Sequence, residues 1–310
     1  YAGGGNSNVA IGDSSLQYPQ GDYITAVGAQ AGRQATGSYN TFMGYRAGYG
    51  AVGAPYSSGE QNTAVGYKAL GVFTTANYNA AFGMEALRLA TTGNSNTALG
   101  TFSLYDLNTG TQNVSVGLSS GENITDGSNN VLVGYRAGYT GTSPDGSIGI
   151  GYRALYNNTA NYSIAIGYDA GFAITSGASN VLVGAFTGDS ITTGDSNTAL
   201  GYAALSDEDT GTRNTAIGNE ALRHYNYDGD GHNTALGHRA SYYRTTGVNN
   251  TMLGVSAGFG VSGQTTGYGN TGVGYSALLG ITSGNNNTAV GTNAGDAITT
   301  GYNNTIMGVS

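Results

Sequence analysis

Apolar and small residues recur along this chain in a five-residue core, Asn-Thr-Ala-Val-Gly in its commonest form. It begins at residues 8, 24, 40, 62, 79, 96, 113, 130 and 147, and again at 163, 180, 197, 214, 233, 250, 270, 287 and 304. The usual step is 17, with 16 at three places and longer steps after the units at 40 (22), 214 (19) and 250 (20), so the extensions read as loops on a constant scaffold. The averaged unit is N-T-A-V-G-Y-x-A-L-x-x-x-T-T-G-x-x. Its fifth position is glycine in every copy, from Gly12 to Gly308, and a second glycine lies three residues before the next core in fourteen units. Two side-chain-free sites per unit predict two corners. Between them the β-branched core predicts a short strand, and the Tyr-x-Ala-Leu stretch predicts a second one, since three or four residues cannot sustain a helix. The fold expected is all-β, a parallel β-solenoid (β-roll) of about eighteen coils over residues 1–310, a rod on the order of 85 Å long at the usual strand spacing.

Stacked coils place like residues above like. The first core position is Asn in fifteen of eighteen units, which predicts an asparagine ladder running through the stack rather than a set of turn-favouring residues. The fourth position is apolar in every unit (Ile11, Met43, Phe82, Val133, Leu236, Met307 among them) and is expected to point into the coil, with the second position beside it. The third position, usually Ala, is large in Phe42, Leu132, Leu182 and Met252, and each of those units has glycine at its ninth position: Gly48, Gly138, Gly188 and Gly258. Units with leucine at the ninth, such as Leu70 or Leu205, have Ala or Gly at the third. Close packing demands such compensation, so positions three and nine share a buried space. If both strand faces are packed, one of them lacks a partner within a single coil. Self-association through the Ala/Leu side, as a homo-oligomer, follows as an expectation.

Composition agrees with a periodic object: 310 residues with 55 glycines, 3 prolines, 9% charged residues, no tryptophan and no cysteine, which removes disulfides, zinc-thiolate sites and cysteine nucleophiles together. A net charge of −8 offers no footprint for nucleic acid or anionic lipid, and no apolar run is long enough for membrane insertion. The chain opens on Tyr1-Ala2-Gly3, partway through a unit, and closes on a core pentad. With no plug over the terminal coils, a segment of a longer fibre or a subunit of an end-to-end filament is expected.

Candidate chemistry is sparse. His224, His232 and His238 form no triad and no His-x-x-x-His pair, and His232 and His238 read as solvent-facing. Asp228-Gly229-Asp230-Gly231 faintly resembles a calcium loop but lacks the later glutamate, and Asp207-Glu208-Asp209 reads as a solvated turn. No catalytic, cofactor-binding or metal-binding residue is assigned, and no enzyme activity is expected. Tyr45, Tyr67, Tyr135, Tyr152, Tyr168, Tyr202 and Tyr275 follow the invariant glycine, either covering the corner or offering a strip for sugars. The sequons at Asn123, Asn157 and Asn249 follow from an Asn/Thr-rich composition.

Units such as Asn62-Thr63-Ala64-Val65-Gly66-Tyr67, with Ser163-Ile164-Ala165-Ile166-Gly167 and Asn8-Val9-Ala10-Ile11-Gly12, resemble the head repeats of trimeric autotransporter adhesins and the repeat arrays of phage tail fibres. The resemblance spans nearly the whole chain, though the unit is about seventeen residues rather than about fourteen. It implies a left-handed β-roll, usually a trimer, on the cell surface, in the extracellular space or on a virion tail fibre, and used for adhesion to a cell receptor or surface glycan. The rival expectation is an ice-binding solenoid, from the threonine row Thr198, Thr215, Thr234, Thr251, Thr271, Thr288 and Thr305. The Val/Ile interruptions of that row and the compensated third position count against it.

Overall fold

The structure is a computed structural model that describes residues 6–18, 21–53 and 56–309; the opening Tyr1-Ala2-Gly3 lies outside them. It divides into two compact units, Tyr1–Arg153 and Ala154–Ser310. The first holds β1 (Val9–Ile11), β2 (Thr25–Val27), β3 (Thr41–Met43), β4 (Thr63–Val65), β5 (Ala80–Phe82), β6 (Thr97–Leu99), β7 (Val114–Val116), β8 (Val131–Val133) and β9 (Ile148–Ile150). The second holds β10 (Ile164–Ile166), β11 (Val181–Val183), β12 (Thr198–Leu200), β13 (Thr215–Ile217), β14 (Thr234–Leu236), β15 (Thr251–Leu253), β16 (Thr271–Val273), β17 (Thr288–Val290) and β18 (Thr305–Met307). Within each unit every strand pairs in parallel with the next, in repeat register: Thr97 faces Val114 and Thr198 faces Thr215. Each unit is therefore a β-solenoid with about seventeen residues per turn, and none of its described residues is helical.

The expected second strand does not form. Each coil carries one three-residue strand, and the Tyr-x-Ala-Leu stretch is a run of turns. The reason lies in the backbone. In the coil of β5, Glu85 (φ 56°), Leu87 (φ 51°) and Ser95 (φ 58°) are all left-handed, and their counterparts repeat this through both units. A left-handed non-glycine residue costs about 1–2 kcal/mol. All three amides, however, turn along the stack: Glu85 N donates to Tyr67 O (2.8 Å), Leu87 N to Ser103 O (3.0 Å) and Ser95 N to Asn77 O (2.9 Å). Each such bond returns about 1 kcal/mol net, so a good part of the strain is offset wherever a coil has neighbours on both sides.

The inside of the coil is also the reverse of the expectation. Ala98 at the centre of β6 is fully buried, while Leu99 at the fourth position is 50% exposed. All sixteen strands from β2 to β17 bury their central residue and turn the flanking pair outward or leave it half-covered. Positions two and four thus form the outer face of the sheet, and the Ala/Leu side is the core rather than a surface for neighbours. The compensation between positions three and nine is real and sets the core volume. A Cβ on Gly138 would lie 2.8 Å from Leu132 Cδ2, and one on Gly258 2.6 Å from Met252 Sδ. It also acts between coils, because a Cβ on Gly121 would meet Leu104 of the coil before and Leu132 of the coil after.

The asparagine ladder is present and buried. Asn96 Oδ1 accepts from both the backbone N–H and the Nδ2 of Asn113, each at 3.0 Å, while Asn96 Nδ2 donates to Gly110 O at 2.9 Å. The same pattern links Asn40, Asn62, Asn79, Asn96, Asn113 and Asn130 in the first unit. In the second it links Asn197 and Asn214 and continues from Asn233 to Asn304. Each amide closes the corner where the chain enters the next strand, so the ladder holds coil to coil as well as shaping the turn.

Candidate functional site

Three features of the surface and one of the interior depart from what a plain scaffold requires. The first is the outer face of each sheet. None of the eighteen strands carries a charged residue, and fourth-position side chains are exposed at Leu99 and Ile150 in the first unit and at Ile166, Leu200, Leu236 and Leu253 in the second, others such as Val116 and Ile217 being half-buried. Nine strands about 4.8 Å apart and three residues wide give a footprint of roughly 430 Å² per unit, shared between aliphatic and threonine side chains. In the second unit the companion position is threonine on seven successive strands, β12 to β18, in unbroken register.

The second feature is the corner that follows the invariant glycine. Tyr45, Tyr67, Tyr152, Tyr168, Tyr202 and Tyr275 are all exposed there. Tyr45 stacks on Tyr67 with centroids 5.5 Å apart, and Tyr135 on Tyr152 at 5.2 Å. Arg46, Lys68, Arg136 and Arg153, one residue further on, lie over the rings of the tyrosines that precede them at 4.8–5.2 Å. Tyr45, Tyr67, Tyr135 and Tyr152 thus each take a cation over the ring.

The third feature is a cleft of about 140 Å³ in the first unit, lined by Arg46, Tyr49, Lys68, Val72 and Arg88 over a floor at Gly71. Sequence reading missed it. The signal that could have found it is the tenth position of the unit, which runs Arg33, Tyr49, Gly71, Arg88, Tyr105 and drops to glycine once in that column of large side chains.

The interior feature corrects the reading of Asp207-Glu208-Asp209 as solvated. Glu208 is fully buried at the twelfth position of its coil, where other coils place Leu107, Ile124, Ile174 or Ile191. The next two coils place Tyr225 and Arg244 there, both fully buried as well. Glu208 Oε1 accepts from Asp209 N (3.0 Å) and Gly211 N (2.5 Å), but Oε2 has no partner among the described residues. Arg244 donates to Gly267 O at 2.7 Å, while its Nε and Nη2 are likewise unpartnered. Burial pushes the Glu208 carboxyl up to about 7 and the Arg244 guanidinium down to about 10.

A pH dependence follows from Glu208. Its folded-state pKa lies above that of an unfolded glutamate, so its contribution is most favourable below about pH 4.5 and is lost as pH rises through about 7. The difference is about 3 kcal/mol. Glu208→Gln is expected to remove most of that loss, so hydrogen exchange around residues 205–215 should differ between wild type and variant at pH 8 and converge at pH 4. Parallel pH profiles would contradict it.

The remaining candidates occupy structural roles. Asp207 pairs with His224 at 2.6 Å, and His232 and His238 are exposed. Asp228 and Asp230 accept from Thr210 (2.7 Å) and Thr212 (2.5 Å) of the coil before, and Asp230 also pairs with Arg213. No group of three or more His, Cys, Asp or Glu suited to a metal occurs among the described residues, and no helix among them is long and apolar enough to cross a membrane. No protein-family model matches this chain, and no curated protein sequence matches it.

Proposed function

We propose that this chain is a structural subunit of an extracellular fibre, on a cell surface or a virion, that assembles laterally and serves adhesion. The observation that carries this reading is the outer sheet face: uncharged, apolar along its fourth positions, and repeated at constant pitch in each unit. A surface of this kind is costly to leave in water. A second copy has the same pitch, so its fourth-position ridges register with these on every coil, which no irregular partner matches. The surface for assembly is thus the Thr/Val and Val/Leu face, in place of the Ala/Leu side. Negative-stain microscopy of the purified chain tests the reading: fibres or side-by-side bundles support it, and dispersed single particles at all concentrations refute it.

One observation favours a second reading, ice binding. The seven threonines from Thr198 to Thr305 stand on the outer face in register, not inside the coil, and no Val or Ile interrupts them within β12 to β18. Rows of hydroxyls at strand spacing beside aliphatic side chains form a regular, weakly hydrated plane. Thermal hysteresis of the purified protein separates the readings, since lateral assembly alone produces none.

A further inference from the structure

We infer that the cleft over Gly71 is a binding site for an anionic saccharide, a sulfate or carboxylate carried on a sugar ring. The cleft exists because of two departures from the repeat that fall together. At the tenth position the neighbouring coils carry Tyr49 and Arg88, and Gly71 between them leaves the column open. The coil before has the longest step in the chain, 22 residues, and its extra loop brings Gly50 and the 82%-exposed Val52 to the lip. That loop is fixed at its base: Ala51 N donates to Ser57 Oγ at 2.9 Å, and the buried Ser57 hydroxyl donates to Phe73 O at 2.5 Å.

Charge gives the cleft its sign. Arg46, Lys68 and Arg88 line it and no carboxylate does. Between residues 30 and 105 the chain has four cations, Arg33, Arg46, Lys68 and Arg88, against Glu60 and Glu85, although its net charge is −8 overall. Glu85 is shared between Lys68 (3.7 Å) and Arg88 (3.8 Å), which holds both cations in place without neutralising both. Arg46 is set by Gln30 Oε1 (2.7 Å) and lies 5.2 Å from the Tyr49 centroid. Arg88 donates to the Tyr105 hydroxyl at 2.5 Å and adds charge at the rim, while Arg46 and Lys68 beside Val52 and Val72 suit an oxyanion with a ring attached: the two cations take the oxyanion and the valines take the ring. A second cleft, about 280 Å³ around Ala203 and Ser206, is lined by Asp189, Asp207 and Arg223 and has the opposite character.

This deepens the adhesive part of the proposed function, yet it requires one coil neighbourhood and no assembly, so microscopy and binding fail independently. The test is calorimetric titration of the full chain with three probes: a sulfated disaccharide, the same disaccharide without sulfate, and inorganic sulfate. The sulfated sugar is expected to bind at least about tenfold tighter than either control, and to weaken with added salt. Gly71→Tyr restores the side chain that the column carries at Tyr49 and Tyr105, and is expected to abolish binding while circular dichroism stays unchanged. Lys68→Met, which leaves the backbone alone, is expected to weaken binding at least about tenfold. Equal binding of the neutral sugar or of inorganic sulfate, no binding of the sulfated sugar, or unaltered binding in Lys68→Met would each overturn the assignment.

Discussion

Alanine in place of Gly100 is expected to break the stack at its own coil, at a cost of about 3–5 kcal/mol. Gly100 sits at φ +139°, a region closed to L side chains, and a Cβ there would lie 2.4 Å from Gly117 O and 2.7 Å from Gly117 C. Those are backbone atoms of the next coil, which cannot move without pulling the following glycine with them. A control separates strain from contact: Gly53, at φ +102°, has open space within 4 Å of where a Cβ would stand, so Gly53→Ala carries the backbone cost alone, about 1 kcal/mol. Because long repeat arrays depart from two-state unfolding, the check is local hydrogen exchange. Amides from residue 97 to residue 121 should lose protection in Gly100→Ala and keep it in Gly53→Ala. Unchanged protection in the first would show that the invariant glycine answers to something other than coil approach.

The second large effect is expected at the ladder. Asn96→Ala leaves the buried N–H of Asn113 without its acceptor and Gly110 O without the Asn96 amide, a loss of about 3 kcal/mol. Asn96→Ser is expected to cost about 1 kcal/mol. Serine already stands at this position in Ser163, whose Oγ donates to Gly177 O at 3.3 Å and accepts from Asn180 N at 3.4 Å. The order Ala worse than Ser worse than wild type, read from exchange protection of residues 110–117, is the signature of a hydrogen-bonded ladder. If asparagine served only as a turn former, alanine and serine would differ little.

These two expectations rest on features that the repeat displays openly. A glycine without exception and an asparagine nearly without exception both express contacts between like residues in adjacent coils, so counting copies is enough to find them. The large-with-small pairing of Phe42 with Gly48 is legible for the same reason. What the pattern hid was direction. An apolar fourth position reads as interior under ordinary strand alternation, but here Ala98 is inside and Leu99 outside, because the third position is the one that shares the core with the ninth, large with small in either order. The Tyr-x-Ala-Leu stretch was hidden by chemistry: nothing in Glu85 or Leu87 signals a left-handed backbone, and only the hydrogen bonds along the stack make it tolerable. Glu208 is a third kind of case. Flanked by Asp207 and Asp209 it looks solvated, yet its place as twelfth residue of the coil puts it in the core whatever its charge. The basic cleft depends on one missing side chain at Gly71, visible only once the tenth positions are aligned as a column.

Direction also bears on the proposed function, since it moves the proposed assembly surface from the Ala/Leu side to the outer face of the sheet. Multi-angle light scattering tests that claim most directly, on wild type and on a variant with Phe82→Lys, Leu99→Lys, Leu200→Lys and Leu236→Lys, all on outward positions. Wild type at micromolar concentration is predicted to run as a multiple of its 31.3 kDa chain mass, and the lysine variant, with an unchanged circular dichroism spectrum, as a single chain. A wild type that stays at 31.3 kDa, or a lysine variant that assembles as the wild type does, would contradict it.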